Sequence, residues 1–169
     1  MAERLEIDIS ITDDDWTNAL GDVEGLCRSA ALAAFQVAGP QDFDNAEVSI
    51  LLSDNTQVQD LNREYRDKDK PTNVLSFASL DEAQPMHGGP ALLGDIVIAY
   101  GVASSEAKTE NKPLNNHLSH LVVHGMFHLL GLDHECADEA DQMEALEIKT
   151  LSSLGIADPY NATDPAGMQ

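Results

Sequence analysis

The stretch His120-Leu121-Val122-Val123-His124-Gly125-Met126-Phe127-His128-Leu129-Leu130-Gly131-Leu132-Asp133-His134-Glu135 decides how the chain is read. Counted from His124, histidines recur at offsets zero, four and ten, with a glycine at seven. Residues four apart on a helix project from one face, so the rings of His124 and His128 can reach one ion. Gly131 stands where the apolar pattern stops and reads as a helix C-cap. The turn it permits can bring His134 back over the open side of the pair. The spacing predicts a helix over 117–130, preceded by Pro113, and a last helix over 139–154 with Met143, Leu146, Ile148 and Leu151 as its apolar contacts.

Upstream, Leu5-Glu6-Ile7-Asp8-Ile9-Ser10-Ile11 alternates strictly, as a half-buried strand does. Thr12, with Asp15 three positions on, reads as the cap of a helix whose stripe runs Leu20, Val23, Leu26, Ala30 and Ala33 or Ala34 and ends before Gly39-Pro40. Residues 46–53 read as a second strand. Residues 55–65 read as a helix with Val58, Leu61 and Tyr65 on its inner face. A polar loop over 66–72 feeds a short strand over 73–77. Residues 79–91, with Pro85, Pro90 and Gly88-Gly89, read as a mobile loop. An apolar strand follows over 92–100, then a helix over 102–109. The expected architecture is α+β: a small, mostly parallel or mixed sheet of about four strands covered by four or five helices. Residues 1–156 form a single domain in this reading, and 157–169 a flexible tail.

The chain has 169 residues, 43% of them apolar, enough for one domain with a real core. No run approaches roughly 18 consecutive apolar residues, so no membrane span is expected. Met1-Ala2-Glu3-Arg4-Leu5-Glu6 lacks the apolar core of a secretory signal, which makes the cytoplasm the expected location. Cys27 and Cys136 make no disulfide framework and read as reduced thiols. Thirty acidic residues against nine Lys and Arg give a formal charge of -21, a field that repels nucleic acid at long range. The few cations are therefore informative by their placement.

Three neutral imidazoles make a borderline-soft metal site that commonly leaves a position for water. Zinc, one ion per chain, suits it best, although nickel, copper or cobalt accept the same donors. His120 and His124 form an alternative pair; otherwise His120 touches substrate or supports a ligand. Cys136, two residues past His134, is an alternative ligand and otherwise a small helix-start side chain. Asp133 can orient an imidazole through its outer nitrogen. His87 and His117 read as surface residues. A large class of zinc peptidases shares the spacing but needs a glutamate directly after the first histidine as general base. Gly125 stands there, so a peptidase lacks its central catalyst.

Metal-bound water is a ready nucleophile, its pKa lowered to about 7 by zinc. Arg63, Arg66, Lys68 and Lys70, four of the nine basic residues, fall within eight positions. An arginine fork matches phosphate oxygens. In a chain this acidic the cluster points to a phosphodiester substrate, with Arg66 as the catalytic cation and Arg63, Lys68 and Lys70 as further substrate contacts.

The blocks His124-Gly125-Met126-Phe127-His128-Leu129-Leu130-Gly131-Leu132-Asp133-His134, Leu61-Asn62 with Tyr65-Arg66 and Lys70-Pro71-Thr72-Asn73-Val74-Leu75-Ser76-Phe77, and Leu93-Gly94-Asp95-Ile96-Val97-Ile98 resemble the YbeY family of bacterial endoribonucleases, or rRNA maturation factors. The resemblance runs from about Leu5 to Ile156. It departs from the family's usual pattern at Phe127 and Leu132, where leucine and tyrosine are usual. It implies a fold like a minimal zincin-type metalloprotease domain. It also implies a metal-dependent endoribonuclease specific for single strands, acting in 16S rRNA 3′-end maturation and ribosome quality control. By resemblance His124, His128 and His134 are the ligands, Arg66 the functional arginine, and His120 a residue near the site. The implied partners are single-stranded rRNA, the small ribosomal subunit with its proteins, and a ribosome-associated GTPase; neither DNA nor a membrane is expected. A second reading, motivated by the charge, is a non-catalytic ribosome assembly factor with a structural metal.

Overall fold

The computed structural model describes residues 5–38, 46–78, 91–131, 137–156 and 158. The expected loop over 79–91, apart from residue 91, lies outside them, as does the expected tail apart from residue 158. Four strands form one sheet in the order β1-β2-β4-β3. β1 (Leu5–Ile11), β2 (Ala46–Ser53) and β4 (Ala91–Ala99) run parallel, while β3 (Val74–Ala78) turns back antiparallel on β4 at the edge. The small mixed sheet is thus the one expected; its order follows from β2 and β4 pairing across the intervening β3.

Among the described residues there are six helices: α1 (Asp15–Leu20), α2 (Val23–Ala38), α3 (Asn55–Arg66), α4 (Tyr100–Thr109), α5 (Leu114–Leu129) and α6 (Ala137–Ser153). The single early helix expected from the Leu20–Ala34 stripe is two helices, because the chain breaks at Gly21 with φ 67°. Thr12 is not its cap. Its N–H donates to the Leu52 carbonyl at 2.9 Å, which carries the β1–β2 pairing one residue further. Asp14 is the residue preceding α1, and Asp54 caps α3 by accepting from the Gln57 N–H at 2.8 Å.

The larger core lies between one sheet face and α2, α5 and α6. Trp16 is wholly buried there; its indole N–H donates to the Ser53 carbonyl at 3.1 Å, so its polar atom is satisfied. A smaller cluster on the other face joins Val58 of α3 to Leu75, Val97 and Ala99, with Leu61 and Phe77 at its margin. Tyr65 does not share that inner face. One turn beyond Leu61, it is 64% exposed and touches the ring of Phe77.

α5 buries ten of its sixteen residues, including the polar His117 and Ser119. Gly125 brings it close to β4: an added Cβ would stand 3.1 Å from carbons of Ile96. A side chain here would press on Ile96, and the glycine itself offers no carboxylate where a peptidase's glutamate would stand.

Candidate functional site

α5 carries His120, His124 and His128 one turn apart. Nε2 of His124 and Nε2 of His128 converge to 3.0 Å. Two imidazoles sharing one tetrahedral zinc ion at the usual bond length of about 2.0–2.1 Å would place these atoms about 3.3 Å apart. The pair therefore fits a common ion. Among the described residues, no group of three His, Cys, Asp or Glu side chains closes a metal cage. His134, Asp133 and Cys136 lie outside the described residues.

The far side of the His124 ring is fixed by Glu147 of α6. Oε2 of Glu147 lies 2.6 Å from Nδ1 of His124, and Oε1 lies 2.9 Å from Nε2 of His120. Glu147 is completely buried. With the carboxylate ionised it can only accept, and both ring nitrogens then donate. A neutral His124 then carries its lone pair on Nε2, toward His128, which is the tautomer a metal ligand needs. His120 turns Nε2 to the carboxylate. Its side chain is 14% exposed and is not among the described residues that line the adjacent cavity.

That cavity has a volume of about 1190 Å³ and runs from His124 and His128 along β3 to Tyr65 and Arg66 on α3. Arg66, in the last turn of α3, donates from Nη2 to the Ser76 carbonyl at 2.5 Å. Its guanidinium carbon lies 5.0 Å from the centre of the Phe77 ring. The helix ends at Asp67 with φ 60°, and Asn62 donates to the Lys70 carbonyl at 2.9 Å, holding the following turn. Arg63 points elsewhere: it pairs with Asp60 at 3.0 Å and Asp69 at 3.4 Å on the surface. Hydrogen bonds from Gln59 and Arg63 hold the Asp69 carboxyl below its ordinary value. Lys68 and Lys70 are exposed and line no part of the cavity.

The floor crosses the sheet in register, Asp8 beside Ser49, Ser49 beside Asp95, and Asp95 beside Phe77. Partial burial raises the Asp95 carboxyl above its ordinary value. Among the described residues lining the cavity, Arg66 is the one cation, while Asp8 and Asp95 are carboxylates.

Two groups of polar residues escaped the sequence reading. Glu147 is one; its signal is an acid set among Met143, Thr150 and Leu151 on the buried face of α6. The other joins His117, Glu106 and Asn73. His117 is buried, not on the surface, and its Nε2 lies 2.9 Å from Glu106, which also accepts from Asn73 at 3.0 Å. This contact ties α5 and α4 to the start of β3, which lines the cavity.

The family model described as Endoribonuclease YbeY matches residues 8–155. Proteins named Endoribonuclease YbeY are similar along nearly their whole length. The one from Paramagnetospirillum magneticum is 49% identical over 163 residues, covering 95% of this chain and 98% of the relative. The one from Azorhizobium caulinodans is 48% identical over 156 residues, covering 92% and 96%. The solution structure of TM1509 from Thermotoga maritima superposes with a TM-score of 0.53 at 19% identity, covering 96% of this chain and 99% of that one. At that identity the likeness speaks for the fold alone.

Proposed function

The chain belongs to the YbeY family of endoribonucleases, and on that premise we propose that it hydrolyses single-stranded RNA in the cavity between α5, β3 and α3. His124, His128 and His134 would hold one divalent ion, zinc by the chemistry of the donors, and Arg66 would receive the phosphate. The observation that carries this reading is the convergence of the His124 and His128 Nε2 atoms at 3.0 Å in the cavity that Arg66 also lines. The biological substrate is the 3′ end of 16S rRNA, in ribosome maturation and quality control. The partners are the small ribosomal subunit and an associated GTPase, in the cytoplasm. Among the described residues no helix is long and apolar enough to cross a membrane.

When bound, the ion supplies Lewis acidity at the phosphate. The protein supplies position and charge. Glu147 holds His124 in one tautomer and orientation. Arg66, anchored on the Ser76 carbonyl and the Phe77 ring, presents a fixed guanidinium to the non-bridging phosphate oxygens and stabilises the charge that grows there. Attack by water leaves a 3′-hydroxyl and a 5′-phosphate. Attack by the RNA 2′-hydroxyl leaves a cyclic phosphate. A deoxy sugar at the cut position distinguishes them, because it abolishes only the second.

The test is metal-stripped and zinc-reloaded protein on a structured RNA, beside His128→Ala, with metal content measured on each. Reloading restores cutting in the wild type and not in the variant if the reading holds. Equal cutting by both marks a contaminant and favours the assembly-factor reading, which the charge of -21 independently motivates.

A further inference from the structure

We propose that Tyr65 and Phe77 form a stacking platform for one unpaired nucleobase of the RNA, next to the phosphate held by Arg66; this rests on the cavity being the RNA site. Tyr65 and Leu92 are the large apolar side chains left exposed among the described residues, and Tyr65 is the more exposed at 64%. Its ring is not loose. It meets Phe77 edge to face, with centroids 5.4 Å apart and planes at 66°. The edge contact fixes the tyrosine plane and leaves most of its surface to solvent. Phe77 is in turn held by the Arg66 guanidinium, 5.0 Å from its centre. Tyr65, Phe77 and Arg66 all line the cavity that reaches His124 and His128.

Charge identifies the occupant. Arg66 beside an aromatic face suits a phosphate followed by a base. Yet the described lining sets that cation against Asp8 and Asp95, in a chain of formal charge -21. The protein's own lining charges give a polyanion little net attraction and salt screens what remains, so beyond the ion and Arg66 the affinity needs a contribution that is not charge. Stacking needs no charge and is nearly indifferent to base identity, because every base has a π-face. It also needs an unpaired base, since a paired base within a duplex has both faces covered. The platform therefore supplies affinity and selects single strands together.

The test uses zinc-loaded protein and short single-stranded 2′-O-methyl oligonucleotides in which one 2-aminopurine walks along the strand, with strand integrity checked afterwards. Wild-type protein should quench the fluorophore at one or two positions. Tyr65→Phe should keep both quenching and affinity. Tyr65→Ala should lose the quenching and bind about tenfold more weakly, within the range of one lost stacking contact. An abasic site at the quenched position should weaken the wild type by a similar factor and leave Tyr65→Ala unaffected. Tyr65→Ala should also lose part of the preference for a single strand over the same sequence in a duplex. Wild-type binding with unchanged affinity in Tyr65→Ala overturns the platform alone. No binding by the wild type overturns the RNA reading of the cavity as well.

Discussion

Glu147 Oε2 stands 2.6 Å from Nδ1 of His124 while its other oxygen stands 2.9 Å from Nε2 of His120, so one buried carboxylate aligns two imidazoles on the neighbouring helix. Glu147→Gln keeps the shape but replaces one acceptor by a donor, so one of the two rings must change tautomer or turn. Losing such a contact typically lowers metal affinity about 10- to 100-fold. Competition against a graded series of zinc chelators reads that shift without any RNA present. Affinity equal to wild type would show that the carboxylate serves packing only.

Arg66 is exposed and its bond to the Ser76 carbonyl closes no core contact, so its replacement should spare the fold. Arg66→Glu should lower kcat/KM for RNA by about 100-fold or more, the loss typical of one transition-state donor. Bound zinc and the melting temperature should stay unchanged. Arg63→Ala, whose guanidinium is spent on Asp60 and Asp69, should change kcat/KM less than about threefold, since exposed pairs carry little energy. Equal losses in both variants would mean that the phosphate is met by the field of the cluster and not by one arginine.

Strand and helix positions were legible in the sequence because period-two and period-3.6 patterns report burial directly. The alternation over residues 5–11 and the apolar run of α5 are the clearest cases. The break at Gly21 was not, because the apolar stripe continues across it. Strand order was not legible either, since no local pattern records that β2 pairs with β4 past β3. At the site, the helical spacing that joins His124 to His128 is local and readable. Glu147 is 23 residues from His124 and reaches it only through the packing of α6 on α5. Tyr65 differs for a related reason: helical phase places it with Leu61, but its ring meets only the edge of Phe77 on the edge strand and stays 64% exposed.

Cys27 is fully buried in α2, and burial, aided by Glu24, pushes its thiol up to about 12 from 9.0. In a Cys136→Ser background, a thiol reagent at pH 8 should leave native protein unlabelled and label it fully in denaturant. The sign of the pH effect follows from the raised value. The unfolded thiol ionises above about pH 9 and the folded one does not, so stability is complete below 9 and falls as pH climbs toward 12. The slope should approach about 1 kcal/mol per pH unit in that window. Urea midpoints at pH 8.5 and 10.5 measure it, and Cys27→Ala should remove that component of the slope.

Gly94 sits opposite Ala78, where β4 meets the edge strand, with φ at 138°. A Cβ built there would lie 2.1 Å from the Phe77 carbonyl oxygen, closer than any packed pair of such atoms. The backbone angle is one that side chains rarely adopt, and the clash is with main chain, which cannot rotate away. Gly94→Ala should therefore destabilise the protein by about 2–4 kcal/mol, combining backbone strain and steric overlap. For a chain of this size that is a drop of roughly 5–15 °C in Tm. The effect reaches the cavity as well, because relief of the clash moves β3 away from β4. Phe77 would then carry Arg66 and Tyr65 with it. RNA affinity should fall in Gly94→Ala even well below its melting temperature, whereas Cys27→Ala, buried away from the cavity, should bind RNA as the wild type does. Measuring affinity for both variants at the same fraction folded separates displacement of the edge strand from simple loss of native protein.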